Sequence, residues 1–312
     1  MSANQHELIV IGAGPSALAA AIYTTRENIT TTLYEKSVIG GLAAITDQVD
    51  NYPGFADGVP GMQLAEQLEA QARRFGADIQ FGEVSNVIRE NNQIKVTVDG
   101  HEHITKTLLI ATGSDYNKIN VPGEAELYGR GVHYCATCDG AFYRDKKLAV
   151  VGGGNSGVQE TIFLTRFASH IDLIVRSTLK ASEVLQEELQ KYIDEGKVTV
   201  HLQTTISEIK VDDNRLNGVT LSHDGKLSDL DVDGVFVFVG LKPNTQFLVG
   251  SGVELDEVGL IKTDQKLMTS VEGVFASGDV RSGATMQIAS AVGEGATAAL
   301  SIREYIDEHK ND

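Results

Sequence analysis

Residues His133 to Gly140 read HYCATCDG and hold both cysteines of the 312-residue chain. Two thiols spaced as Cys135 and Cys138 can ligate half a metal site, form a structural staple, or cycle between dithiol and disulfide. Asp139 follows directly, and an acid at that place can move a proton to or from a thiol. A structural zinc centre needs four ligands, whereas the chain has no second C-x-x-C and its eight histidines show no finger-like spacing. No metal is expected. The alternatives left are an inert reduced pair, packed as small apolar residues, and a working redox couple. His133 is read as structural.

The elements that must position this pair are marked by glycines. Two segments read alike: ELIVIGAGPSALAAAIYTTRENITTTLYEK from Glu7 to Lys36, and KLAVVGGGNSGVQETIFLTRFASHIDLIVRS from Lys147 to Ser177. Each opens with a short apolar run, turns through glycines, continues with helical character and ends in a second apolar run. This is a βαβ unit of about 30 residues, present twice. The first copy carries Gly12-x-Gly14-x-x-Ala17 and ends in Glu35, placed to accept hydrogen bonds from adenosine ribose hydroxyls. The second carries Gly152-x-Gly154-x-x-Gly157 and ends in Arg176, which can accommodate a 2′-phosphate. Two different dinucleotides are therefore expected. Between and after these units, Asp99-Gly100 and Asp224-Gly225 predict hairpin turns in strand-rich stretches, while AEQLEAQARRF and SEVLQEELQKYIDEG have helical spacing.

With 43 acidic against 26 basic residues, the formal charge of −17 argues against nucleic acid as a partner. No run reaches membrane-spanning length, and MSANQHELIV lacks the basic start of a signal peptide. A cytoplasmic protein is expected, in which a cycling disulfide is more in keeping than a permanent one.

Nearly end to end, the chain resembles the low-molecular-weight thioredoxin reductases of bacteria and archaea. The resemblance rests on GAGPSALAAAIY at 12–23, GG with VDNYPGF at 40–55, LLIATGS at 108–114 and CATCDGAFYRDKKLAVVGGGNSG at 135–157. GLKPNT at 240–245, GVFASGDV from 273 and QIASAVGEGATAA up to 299 complete it. It implies an α/β fold of two Rossmann-like dinucleotide-binding domains with added antiparallel strands, the second inserted in the first. An FAD domain would comprise residues 1–115 and 246–312, and an NAD(P)H domain with the dithiol residues 116–245. Position by position, Gly12, Gly14 and Glu35 would bind the FAD adenosine and pyrophosphate, Asn51 would lie beside the isoalloxazine, and Asp279 would bind the ribityl and phosphate region. Gln287 and Ile288 would lie at the flavin's other edge, and Ala17, Gly41 and Gly278 are counted with the FAD residues. Gly152, Gly154, Asn155, Gly157 and Arg176 would hold NADPH. In the family pattern Cys138 faces the flavin, Cys135 attacks the disulfide of a thioredoxin-type dithiol protein, and Asp139 moves the proton. A homodimer and a rotation of the inserted domain are also implied.

Three departures stand out. VRSTLKAS keeps Arg176 but has Ser177 where relatives carry a second arginine, and offers Lys180 only with a one-residue deletion. That leaves NADH, or another donor such as ferredoxin or a reduced flavin carrier, as alternatives to NADPH. Leu42 and Met286 replace residues common around the flavin. The relatives that act as ferredoxin–NADP reductases lack the dithiol, and the dithiol oxidases tend to lose the nucleotide glycines, so this chain fits neither pattern. A redox sensor without turnover is the non-enzymatic alternative.

Overall fold

The computed structural model describes residues 4–46, 48–90 and 93–309. The chain divides into two compact units, Met1–Asp115 with Lys242–Asp312, and Tyr116–Leu241.

The first unit is built on β1 (Asn4–Ile11), α1 (Pro15–Arg26) and β2 (Thr31–Glu35), followed by α2 (Gly41–Ala44) and α3 (Gly61–Arg74). Strands β3 (Asp78–Phe81), β4 (Val84–Glu90), β5 (Gln93–Val98) and β6 (His101–Ile110) come next, and the short β7 (Ser114–Tyr116) leads out. Strands β3-β2-β1-β6 run parallel, while β6-β5-β4 continue antiparallel as a meander turned at Asp99 and Gly100. The run Leu8–Ile11 is apolar throughout because the sheet is covered on both faces. Leu8 and Val10 join a cluster with Leu33 and Leu109, whereas Ile9 and Ile11 join Val87, Val96 and Ile110 on the other side. Each fully buried aliphatic side chain of this kind stabilises the fold by about 1.5–3 kcal/mol.

The second unit opens with β8 (Val132–His133), α4 (Ala136–Asp139) and a 3₁₀ turn at Gly140–Tyr143. It continues with β9 (Lys147–Val151), α5 (Asn155–Leu164), β10 (His170–Val175), α6 (Glu183–Asp194) and β11 (Val198–Leu202). The meander β12 (Thr204–Asp212), β13 (Arg215–His223) and β14 (Lys226–Leu230) precedes β15 (Gly234–Val237). Five strands form a parallel sheet in the order β11-β10-β9-β15-β8, and β12-β13-β14 form a separate antiparallel sheet. In the register of β8 on β15, His133 lies opposite Phe236.

The chain returns through β16 (Leu241–Pro243) to β17 (Val274–Ala276), which joins β6 in parallel, and ends in α7 (Ile288–Glu308). Helix α7 packs on α1, and a Cβ on Gly295 would lie 2.2 Å from the Ser16 carbonyl oxygen, so only glycine admits this approach. Both units are thus α/β, with parallel sheets and added antiparallel strands. Among the described residues no helix is long and apolar enough to cross a membrane.

Candidate active site

In the first unit the turn from β1 into α1 opens on a cleft. Gly12, Gly14, Glu35, Gly41, Gly278, Asp279, Gln287 and Ile288 all line it, although they come from both ends of the chain. Gly12 has φ +100°, and a Cβ there would lie 2.6 Å from the Ala111 carbonyl oxygen, so the turn demands glycine. Gly14 differs: its φ is −73°, and a Cβ there would meet nothing within 4 Å. Nothing within the protein requires Gly14, and its bare backbone leaves room for the close approach of a ligand. Helix α1 starts with no side-chain cap, and its first residues, Pro15 and Ser16, line the cleft, so the helix N-terminus is open to an anionic ligand there. Ala17, fully buried, occupies the third position of the glycine signature.

Glu35 is buried and accepts from Ala13 N–H (2.8 Å) and Ser37 N–H (2.9 Å), which fixes its carboxylate at the end of β2. The opposite wall is closed by long-range bonds. Ser16 and Ser277 hydroxyls are 2.7 Å apart, Ser114 Oγ donates to the Asp279 carbonyl oxygen, and Asn51 Nδ2 donates to Gln287 Oε1 at 3.0 Å. Asn51 and Gln287, 236 residues apart, are thereby brought together. Asn244 completes the cleft: Thr112 Oγ1 donates to its carbonyl oxygen at 2.8 Å, and its Nδ2 donates to Thr112 O. GLKPNT was part of the resemblance, but no pattern within that motif singles out Asn244.

Asp279 carries an electrostatic signature. Its Oδ1 is buried with no hydrogen-bond partner among the described residues. Burial, reinforced by Glu294, pushes its carboxyl up to about 6. Such an orphaned acceptor fits a ligand hydroxyl that donates to it. Because the folded value exceeds the ordinary carboxylate value, this group stabilises the unliganded protein at low pH, and that contribution is lost as pH rises through about 6. Asp279→Asn is therefore expected to be more stable than the native sequence at pH 7, by up to about 3 kcal/mol, with the difference vanishing near pH 4. Thermal melts of the two unliganded proteins across that range check this.

A second cleft lies within the second unit and repeats the first. It is lined by Gly152, Gly154, Asn155, Gly157, Arg176, Ser177 and Lys180. A Cβ on Gly152 would lie 2.3 Å from the Phe238 carbonyl oxygen, whereas one on Gly154 would meet nothing within 4 Å. Gly157 has no room for the methyl that Ala17 carries, since its Cβ would lie 2.3 Å from Gly152 O. Lys180 N–H donates to Gly153 O at 2.7 Å, and Ser182 N–H donates to Asn155 Oδ1 at 2.8 Å. These bonds fold the segment after β10 over the glycine loop, so that Lys180 shares the cleft with exposed Arg176. Lys118 adds a third cation to the lining.

The cysteines sit between β8 and the 3₁₀ turn. Cys135 and Cys138 are joined as a disulfide with S–S 2.16 Å, both sulfur-bearing residues partly exposed. Cys138 N–H donates to Cys135 Sγ at 3.2 Å, an interaction that favours negative charge on Cys135 when the bond opens. Asp139 is not isolated: its Oδ2 lies 3.1 Å from Nδ1 of His133, whose Nε2 is 2.7 Å from the Tyr143 hydroxyl. His133, read from the sequence as structural, thus touches the acid of the dithiol motif.

Two dinucleotide-type clefts and a disulfide define a class. A family model described as pyridine nucleotide-disulphide oxidoreductase matches residues 6–295, and the chain belongs to that family. It is an oxidoreductase that works with a flavin and NAD(P)H. Among curated relatives, a thioredoxin reductase of Bacillus subtilis is 40% identical over 97% of this chain and 95% of that protein. One of Treponema pallidum is 36% identical over 99% of both. The crystal structure of thioredoxin reductase from Streptococcus pyogenes superposes with a TM-score of 0.93 at 34% identity, covering 98% of this chain and all of that one.

Proposed function

We propose that the protein is an NADPH-dependent thioredoxin reductase, in which FAD occupies the first cleft, NADPH the second, and Cys135–Cys138 carries electrons to the disulfide of a thioredoxin-type protein. The observation that carries this reading is the Cys135–Cys138 disulfide with Asp139 beside it, in a chain with two glycine-loop clefts. FAD, when bound, accepts a hydride and can return two electrons to a disulfide.

The residues have separate tasks. Gly12, Gly14 and the start of α1 hold the pyrophosphate, and Glu35 binds the adenosine ribose. Asp279 accepts from a ribityl hydroxyl, and Asn51 with Gln287 borders the isoalloxazine. In the second cleft Gly152, Gly154 and Gly157 admit the nucleotide backbone, and Arg176 and Lys180 take the 2′-phosphate. Cys135 is the nucleophile toward the partner disulfide, Cys138 resolves the mixed disulfide, and Asp139 moves the proton. A cytoplasmic homodimer belongs to the same proposal, supported by the family resemblance and by the use of the sole cysteine pair for exchange.

The purified protein is expected to be yellow, to bleach anaerobically with NADPH, and to reduce a thioredoxin disulfide. Gly14→Ala supplies the structural arm of the test. A methyl there clashes with nothing in the protein, so the melting temperature should stay or rise slightly. Retained flavin should nevertheless fall by about tenfold or more, the result of losing ~1.4 kcal/mol of binding. Undiminished flavin in Gly14→Ala would move FAD out of this cleft, and a wild-type protein that bleaches but leaves thioredoxin oxidised would overturn the partner.

A further inference from the structure

During disulfide exchange, a proton released by one thiol must be held until the partner's leaving sulfur takes it. Carboxylate is a weaker base than imidazole, and in this fold the two are in contact. The His133 side chain is 5% exposed, its ring stacked on Phe236 with centroids 5.1 Å apart, and Tyr143 meets both rings edge-on. A ring needed only to fill this space could be entirely apolar. Here both ring nitrogens have partners: Nδ1 is 3.1 Å from Asp139 Oδ2 and Nε2 is 2.7 Å from the Tyr143 hydroxyl.

The geometry accepts two charge states without moving a ring. In neutral His133, Nε2–H donates to the Tyr143 hydroxyl and the Nδ1 lone pair accepts the proton of a protonated Asp139 carboxyl. In the imidazolium form that proton lies on Nδ1 and is donated back to the Asp139 carboxylate, while Nε2–H keeps its bond to the hydroxyl. Burial, with Asp139 and Asp233 acting in the same sense, raises Tyr143, so its hydroxyl keeps its proton throughout. The titratable groups around His133 are thus Asp139 from α4, Tyr143 from the 3₁₀ turn, and Asp233 acting on Tyr143; β15 presents apolar Phe236.

We infer that His133 is a positioning residue that stores the proton handled by Asp139 during thiol–disulfide exchange. The inference rests on the exchange chemistry proposed above, in which Cys135 thiolate attacks the partner disulfide, forming one S–S bond and breaking the partner's. Cys138 then attacks Cys135, which restores the internal disulfide and releases the partner's second sulfur. Two electrons pass from the dithiol to the partner, which leaves with one thiolate in place of the Cys135 thiolate and one thiol that carries the Cys138 proton. The proton from Cys138 passes to Asp139, rests on His133, and returns through Asp139 to the departing sulfur.

The test follows single-turnover oxidation of the reduced dithiol in the holoenzyme, between pH 5 and 9, by thioredoxin disulfide and in parallel by a small aromatic disulfide. The small oxidant reads the proton store even if thioredoxin is not the partner, so the two ideas fail separately. His133→Phe, which keeps the stack, should slow exchange about tenfold or more at pH 7 and move the acid limb of the profile to lower pH. Tyr143→Phe should leave the acid limb in place or shift it slightly, and flavin reduction by NADPH should be unchanged in both variants. A His133→Phe profile that is slower but superimposable in shape would mean packing alone and overturn the inference. Should that variant misfold, ¹⁵N-histidine spectra of the native protein decide. An Nε2-protonated neutral ring that gains a proton at Nδ1 at lower pH in step with the exchange rate supports the store, and a ring that stays neutral across that limb, or is already protonated at Nδ1, refutes it.

Discussion

In a Cys135→Ser variant, turnover with thioredoxin disulfide is expected to fall by about a thousandfold or more, while FAD stays bound and reducible by NADPH. A hydroxyl at this place cannot supply the thiolate that attacks a disulfide. The Cys138 N–H that points at Cys135 Sγ would favour charge on that sulfur once the disulfide opens, in keeping with the proposed role of Cys135. Cys138→Ser should lose turnover as completely, but by a different route: Cys135 still attacks, and no thiol remains to release the mixed disulfide. Mass spectrometry after mixing with thioredoxin disulfide should therefore find a covalent adduct in Cys138→Ser and none in Cys135→Ser. The reverse pattern would exchange the roles of the two sulfurs. Neither cysteine lines the glycine-loop cleft of its own unit, and the flavin spectrum serves as the internal control for folding.

The βαβ units were legible because their signals are local. Leu8–Ile11 is apolar throughout since the sheet is covered on both faces, and the glycine turns follow at once. The hairpin turns were equally plain: Asp99 and Asp224 take φ of +47° and +48°, each followed by a left-handed glycine. The start of β1 was not legible. Asn4 to His6 pair with β6 at His103 to Thr105, and NQH has no apolar alternation to mark a strand. Closure of the first cleft was hidden for another reason, since its bonds join residues such as Ser16 and Ser277 across 261 positions. His133 shows the sharpest limit. It lies six residues from Asp139, yet its orientation depends on β8, a strand of two residues with no periodicity to read. That strand is fixed by pairing with β15, a hundred residues further on. Lys180 is similar: linear spacing puts it out of step with the family motif, and a single backbone bond to Gly153 brings it into the cleft.

That bond bears on the second large effect, the choice of nucleotide. An Arg176→Ala/Lys180→Ala double variant is expected to raise KM for NADPH about a hundredfold or more and to leave KM for NADH nearly unchanged. Each charge-assisted hydrogen bond to a 2′-phosphate contributes roughly 1.5–3 kcal/mol, equivalent to about one to two orders of magnitude in affinity. Arg176 offers a planar fork suited to bidentate contact, whereas Lys180 offers a point charge, so Arg176→Ala should cost more than Lys180→Ala. Ser177 supplies a hydroxyl where a third cation would strengthen the grip, and Lys118 is partly committed to the Tyr128 ring, 6.0 Å from its centroid. Arg176 is exposed, so the preference should also shrink as salt rises, which a purely steric pocket would not show. Anaerobic stopped-flow reduction with NADPH, NADH and reduced ferredoxin separates the outcomes. Equal flavin reduction by both nucleotides, unchanged in the double variant, would mean that these cations select nothing. Faster reduction by ferredoxin would then make the second cleft accessory to another donor. A NADPH preference that collapses only in the double variant would mean that Lys180, delivered by its backbone bond to Gly153, does the work of the missing arginine.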